Sequence, residues 1–400
     1  MNNLPRQKLI ILFTIFVDVV CFGIVIPLLP FYLEEFQATP FTITLLFSAF
    51  SLFSFLSSPS LGVLSDRVGR RPVIIWGMVV SAIGLFIFAS ANSLWVLFLG
   101  RIVDGLAAGK FTTLQSYMVD ISRNDKERTQ NLGLAGATFG LGFMIGPMIG
   151  GILSNISISF PFWFTGVLAL LNALIAFLFL PESHHNKSVK QFSINPIIPL
   201  KKAFVDKKLR PLYTTWFLFT FAFVLSQAVF SLFAQKVFHF DSTVTGFLFS
   251  FLGGIVLVNQ AVLLKRVWLK YFSESKLEYL MMAILSIGFF LMATKINLFF
   301  YIGILFLGIG QSVIRVVITS QAAASATPQT KGEVIGVLGS IMSASMAIAP
   351  IIAGKLFESE PYYPYLLAAL FCLAALFIST KLKFRKTKFE EDLTLPTNEI

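Results

Sequence analysis

The chain has 400 residues, of which 56% are hydrophobic and 13% charged; soluble domains carry about a quarter charged residues, so too little polar surface exists here to cover a water-exposed globule. The formal net charge of +11 is spread over many short segments, which argues against the clustered basic face of a nucleic-acid binder. Three histidines in loops and two cysteines, Cys21 and Cys372, in separate apolar stretches supply no catalytic cluster, metal-ligand spacing or disulfide framework, and no cofactor is expected.

The natural solvent is lipid, and a bilayer core takes about 20 apolar residues per helix. The first predicted span, Lys8 to Phe31, could begin as a signal peptide, but its apolar run passes Asp18 without a small-residue cleavage site and reads as a spanning helix. Span two covers Phe41 to Leu64. It leads into GVLSDRVGRRPVI, Gly62 to Ile74, a tight turn with one acid and three arginines. Gly62 is expected to permit close helix approach, Gly69 a positive φ, and Pro72 the start of the next helix. Asp66 is placed to meet a helix amino terminus or a loop arginine, as a breakable latch with Arg67, Arg70 and Arg71.

Span three is Val73 to Asn92, and span four is Leu94 to Val119, with GRIVDGLAAG contributing Arg101 and Asp104 and with Lys110 near its inner end. After the loop that holds Arg128, span five, Leu132 to Ser154, contains GLGFMIGPMIGG. There Gly142, Gly146 and Gly150 recur every four residues, Gly151 follows, and Pro147 interrupts the stripe. That pattern suits close helix packing with a bend. Span six is Pro161 to Leu180.

Residues 181–210 form the one long polar interior stretch and read as a linker between an amino-terminal bundle, 1–180, and a carboxy-terminal bundle, 211–381, with a tail at 382–400. Spans seven to twelve are Pro211 to Ala234, Thr243 to Leu264, Leu277 to Thr294, Leu298 to Ser320, Val334 to Phe357 and Tyr363 to Lys381. A shift of 203 residues aligns Gly105 with Gly308, Arg128 with Lys331, Gly133 with Gly336, Gly136 with Gly339, Pro147 with Pro350 and Gly151 with Gly354. The halves therefore read as an internal duplication, and the fold as an all-α polytopic membrane protein of twelve helices in two pseudo-symmetric six-helix bundles. The second half keeps no acid or glycine in its counterpart of the signature turn, LLKRVWLKYFSESKL.

With both termini cytoplasmic, 25 of the 31 Lys and Arg residues fall at the cytoplasmic face, as the positive-inside rule requires. The five tryptophans sit near predicted helix ends, the position of an interfacial belt.

Charges at mid-membrane cost roughly 2.5 to 3.5 kcal/mol each and tend to mark function. Five remain: Asp18, Arg101, Asp104, Lys110 and Arg315. Arg101 and Asp104 share a helix face. Asp18 has no opposite charge at i+3 or i+4, and a buried unpaired carboxylate favours taking up a proton, so Asp18 is the expected proton carrier, tuned by Arg101 and Asp104. Lys110 and Arg315 either reach back to the interface or form a cationic mouth with Gln227 and Gln311 in a solute cavity. Asn259 and Gln260 could line that cavity or join helices.

On the turn at Gly62 to Ile74, DVVCFGIVIPLLP in helix one and the helix-five string, the chain resembles the major facilitator superfamily along its whole length, and in particular its drug:H⁺ antiporter branch with tetracycline-efflux-like members. The resemblance implies proton-driven export of a small amphipathic solute or drug, with latch and gating roles at Gly62, Asp66, Gly69 and Arg70. Import by symport or facilitated diffusion is the alternative, and a sensor without transport a lesser one. A monomer in a bacterial inner membrane, energised by the proton gradient, with the bilayer and a small solute as its partners, completes the expectation.

Overall fold

The computed structural model describes residues 4–183, 209–325 and 331–394. The predicted linker lies, apart from its ends, outside the described residues, as does the end of the tail. Where the chain is described it is helical, because lipid offers no partner for backbone N–H and C=O groups and a helix satisfies them within one segment. The helices are α1 (Leu4–Glu34), α2 (Pro40–Val68), α3 (Arg70–Ala89), α4 (Leu94–Ala108), α5 (Lys110–Asp120), α6 (Asp125–Leu153) and α7 (Phe160–Phe179). Then follow α8 (Arg210–Phe238), α9 (Ser242–Val258), a π-helical segment (Asn259–Trp268) closed by the short turn Leu269–Tyr271, α10 (Glu274–Ala293), α11 (Asn297–Ala324), α12 (Lys331–Ser359) and α13 (Tyr363–Thr394).

Ten helices are long and apolar enough to cross a bilayer by themselves, with mean hydropathy between 1.6 and 3.0. The fourth span, which the apolar run Leu94 to Val119 predicts as one helix, is built instead from two pieces, fifteen residues of α4 and eleven of α5, which meet at Gly109. A β-carbon on Gly109 would stand 2.9 Å from the Ser58 Cα, so α2 crosses at backbone distance where the helix is interrupted. The twelfth span contributes the apolar stretch Tyr363–Ser379. Twelve crossings result.

Two compact units form. Among the described residues, one holds 4–183 with Gln227–Leu257 and Met346–Pro361; the other holds 209–226, Val258–Ser345 and 362–394. The core of the first unit joins Ile11, Ile15 and Val19 of α1 to Ile74 and Met78 of α3, Leu114, Tyr117 and Met118 of α5, and Ala173 and Ala176 of α7. At the far end of α1, Tyr32 stacks among Phe36, Phe88 and Phe162 and donates to the carbonyls of Phe88 and Ala89, both at 3.2 Å. The second unit is pinned by polar bonds as well as packing. Trp216 Nε1 donates to the Leu338 carbonyl at 2.8 Å, Thr220 and Ser345 share a 3.0 Å hydroxyl contact, and Ser379 donates to Glu278 at 2.5 Å.

The tryptophan expectation needs one correction. Trp76, Trp95 and Trp163 are exposed, as a belt requires, but Trp268 is half-buried with its indole N–H on Asn259, and Trp216 is buried with its indole N–H committed to a carbonyl. Its indole joins two helices rather than meeting headgroups.

Small residues set the spacing in the first unit. On α6, β-carbons at Gly142 and Gly146 would lie 2.9 Å from Val19 Cβ and 2.7 Å from the Val20 carbonyl of α1, and one on Gly150 would lie 3.0 Å from the Ile24 carbonyl. On another face of α6, Gly151 would press on Ser242 and Thr243 at 3.0 Å, and Gly246 would run into the Pro147 carbonyl. The duplication shows in the same contacts. Gly151 packs on the start of α9, while Gly354, its counterpart at a shift of 203, packs on Phe41 and Thr44 at the start of α2. Gly133, Gly136, Gly336 and Gly339, also matched in pairs, all face open space. Lys236 and Gln235 of α8 reach Glu34 of α1 at 2.6 Å each, within the same unit.

Candidate functional site

Four of the five charges expected in the membrane converge. Lys110 opens α5 directly after the Gly109 break and lies flat against Gly77 of α3, where a β-carbon would come within 2.7 Å of Lys110 Cβ. Its ammonium stands 2.9 Å from Asp18 Oδ1 of α1 and donates to Ser81 Oγ at 3.3 Å. Ser81 in turn donates to Asp104 Oδ1, and Asp104 Oδ2 lies 3.3 Å from Arg101 NH1. The Arg101 guanidinium rests over the Phe50 ring, 4.3 Å from its centroid, a stacking arrangement that supports a cation in an apolar setting. Asp104 needs Gly84 beside it: a β-carbon there would be 2.7 Å from the Asp104 backbone nitrogen.

Two ion pairs, Asp18–Lys110 and Arg101–Asp104, are thus linked through the Ser81 hydroxyl, which accepts from Lys110 and donates to Asp104. The set is electrically neutral, which lowers the cost of placing it at membrane depth. Exposure is unequal: the side chains of Lys110 and Arg101 are 5% and 3% accessible, those of Asp104 and Asp18 13% and 21%. Asp18 is the most accessible of the four.

This geometry corrects two expectations. Asp18 is not unpaired, because its partner comes from a distant helix rather than from i+3 or i+4. Lys110 does not reach back to the interface; at 4% exposure it is enclosed by α1, α3 and α5 and paired with Asp18. The Arg101–Asp104 pair stands as expected. Gln311 is buried and Gln227 half-buried, while Arg315 is exposed on α11. Asn259 and Gln260 join helices, donating to Ser312 of α11.

The signature turn forms a second constellation in the same unit. Gly69 has φ +112 and ψ 157, a conformation open essentially to glycine alone. That kink brings Arg70 to Asp66, at 2.6 Å, and to Asp120 at the end of α5, at 3.0 Å, while NH1 also reaches Ser65 Oγ at 2.6 Å. The Glu182 carboxylate, just after α7, accepts the Arg70 and Arg71 backbone N–H groups at 2.8 and 3.1 Å, capping the α3 amino terminus. Arg71 NH2 donates to the Phe177 carbonyl at 2.5 Å. Arg67 is exposed, and Arg128 is exposed in the first turn of α6. Gly62 requires no close approach, since a β-carbon there meets nothing within 4 Å.

Sequence reasoning passed over Ser81, Phe50, Asp120 and Glu182. Glu182 had a signal, being an acid just past a spanning helix and beside a proline, with three arginines competing for acids on that face. Ser81 had none, for mid-span serines are common.

A family model described as Major Facilitator Superfamily matches residues 11–276 and 267–396. Among relatives, the chain is 28% identical over 361 residues to the class C tetracycline resistance protein of Escherichia coli, covering 88% of this chain and 90% of that one. It is 27% identical over 398 residues to the quinolone resistance protein NorA of Staphylococcus aureus, covering 96% and 99%. Among solved structures, the human organic anion transporter MFSD10 superposes with a TM-score of 0.72 at 22% identity, covering 95% of this chain and all of that one. A peptide transporter, POT, gives 0.78 at 12% identity, with 96% and 94% covered. At such identities the superpositions speak for the fold.

Proposed function

The chain belongs to the Major Facilitator Superfamily, and on that premise we propose that it is a proton-coupled antiporter that exports a small amphipathic solute by alternating access of its two halves. The observation that carries the reading is the Asp18–Lys110 pair, joined through Ser81 to Asp104 and Arg101. Asp18 is the more accessible of the two carboxylates, which supports it as the one that takes up and gives back a proton. On protonation of Asp18, Lys110 loses its counter-ion, and the ammonium already lies within 3.3 Å of the hydroxyl that leads to Asp104. The cation then shifts toward the second acid. One proton event on α1 becomes a rearrangement between α1, α3 and the α4–α5 break, where the interrupted backbone can yield.

The glycine-lined contact of α6 with α1 supports movement of the same helix, because smooth faces permit sliding. Export as the direction draws on the relatives named for tetracycline and quinolone resistance. The positive-inside count supports cytoplasmic termini in an inner membrane. A pH-jump assay in everted membrane vesicles tests the reading. Addition of a transported drug to acidified everted vesicles is expected to raise the luminal pH as protons leave against entering drug; further acidification would instead mean symport and import.

A further inference from the structure

The charges in the membrane do not all cancel. Asp18 pairs with Lys110 and Arg101 with Asp104, which leaves Arg315. Among the described residues its guanidinium has no ion-pair, hydrogen-bond or ring partner, and its side chain is exposed. The acids of the neighbouring helix are engaged elsewhere: Glu274 accepts from Ser320 at 2.8 Å and Glu278 from Ser379 at 2.5 Å.

Arg315 sits in a polar stripe of α11. Gln311 lies one turn before it, Ser312 three residues before, and Thr319 one turn after. Gln311 and Ser312 are buried and Thr319 is half-buried, so Arg315 is the exposed member of this group, and a lone guanidinium at membrane depth costs roughly 2.5 to 3.5 kcal/mol. The wall beside the stripe is unusual. Ten residues, Asn259–Trp268, form a π-helix, a rare conformation frequently found at functional sites. It is tied to α11 at Ser312. Asn259 Nδ2 donates to Ser312 Oγ and, at 3.3 Å, to the Ile309 carbonyl; Gln260 Nε2 donates to the Ser312 carbonyl at 3.3 Å; Trp268 Nε1 donates to Asn259 Oδ1 at 2.7 Å. The amides are thus occupied in holding the wall, and the five N–H groups of Arg315 are left for a ligand.

We propose that Arg315 is the residue by which the second half recognises its solute, and that the solute is an amphipathic aromatic anion or zwitterion whose carboxylate or sulfonate it binds. A planar guanidinium presents two parallel N–H groups to such an oxyanion, and the exchange of one uncompensated cation within the span for a neutral ion pair favours anions over cations of the same frame. The inference rests on the transport reading for its context and deepens it by naming a substrate class.

The test titrates the full chain in lipid nanodiscs with anilinonaphthalene sulfonate and with its uncharged parent, phenylnaphthylamine, which differ by one sulfonate. Arg315→Gln is expected to weaken the sulfonate about tenfold, the scale of a charge-assisted hydrogen bond, and to leave the parent within about twofold; Arg315→Lys, which keeps the charge but not the fork, is expected to fall between Arg315→Gln and the unaltered protein. Equal weakening of both probes, an unchanged sulfonate affinity, or no saturable sulfonate binding to the unaltered protein would overturn the proposal. No proton gradient is present in this titration. A protein that binds the sulfonate through Arg315 but moves no protons therefore refutes coupling alone, and one that moves protons with no preference for charge refutes the anion reading alone.

Discussion

Replacing Gly69 with alanine should break the cap that holds the signature turn against α7. The cost has two sources. At φ +112 and ψ 157 an L-residue is strained by about 1–3 kcal/mol. The new β-carbon would also collide with the Glu182 carboxylate, which accepts the Arg70 and Arg71 backbone N–H groups at 2.8 and 3.1 Å. Charge-assisted bonds contribute about 1.5–3 kcal/mol each, and displacing the carboxylate loses at least one, so with the strain the total is about 2.5–6 kcal/mol. On the scale of roughly 2–4 °C per kcal/mol for domains of about 150–250 residues, the melting temperature of the detergent-solubilised protein should fall by about 5–24 °C. A double-mutant cycle isolates the mechanism. In a Glu182→Ala background, where the side chain the β-carbon would meet is gone, Gly69→Ala should cost only the strain, giving a coupling energy of about 1.5 kcal/mol or more. Full additivity, with coupling under about 0.5 kcal/mol, would refute the idea that Gly69 exists to admit Glu182.

Ser81→Ala removes the hydroxyl between Lys110 and Asp104; with charged partners worth about 1.5–3 kcal/mol, coupled proton flux in proteoliposomes should slow at least about tenfold while solute affinity holds, and an equal loss of affinity would count against a relay. Gly146→Val inserts side-chain atoms where a β-carbon already meets the Val20 carbonyl at 2.7 Å; overpacking of about 1–3 kcal/mol should lower the melting temperature and arrest exchange, and full activity would mean α1 and α6 are not tightly apposed. At Gly133 and Gly336, which face open space within helices, alanine should instead stabilise by about 0.5–1 kcal/mol, seen as a small rise in melting temperature in both variants; a fall at either would show hidden packing.

Most of the fold was legible because lipid imposes a length and a polarity on each helix, and both can be counted along a chain. The repeat was legible for a related reason: Gly151 and Gly354 meet the same kind of crossing in each half, so the same residue was kept at both places. Pairings across helices were not. Arg101 and Asp104 could be matched from i+3 spacing, but Lys110 reaches Asp18 only because Gly77 lets it lie along α3. Gly62 misled, since a glycine in a helix can serve packing or serve nothing, and only the neighbours distinguish the two. The π-helical turn of the eighth span was invisible too, because i→i+5 bonding leaves no periodic signature over ten residues. In the site, residue identity was readable and partnership was not.

The central claim is that Asp18 carries the coupled proton with Lys110 as the cation it releases. The direct measurement compares proton movement with solute exchange in proteoliposomes for Asp18→Asn, which keeps the shape but can neither gain nor lose a proton. The expected result is loss of solute-driven proton flux and of uphill transport with solute-for-solute exchange retained. Undiminished proton flux in Asp18→Asn would contradict the claim outright.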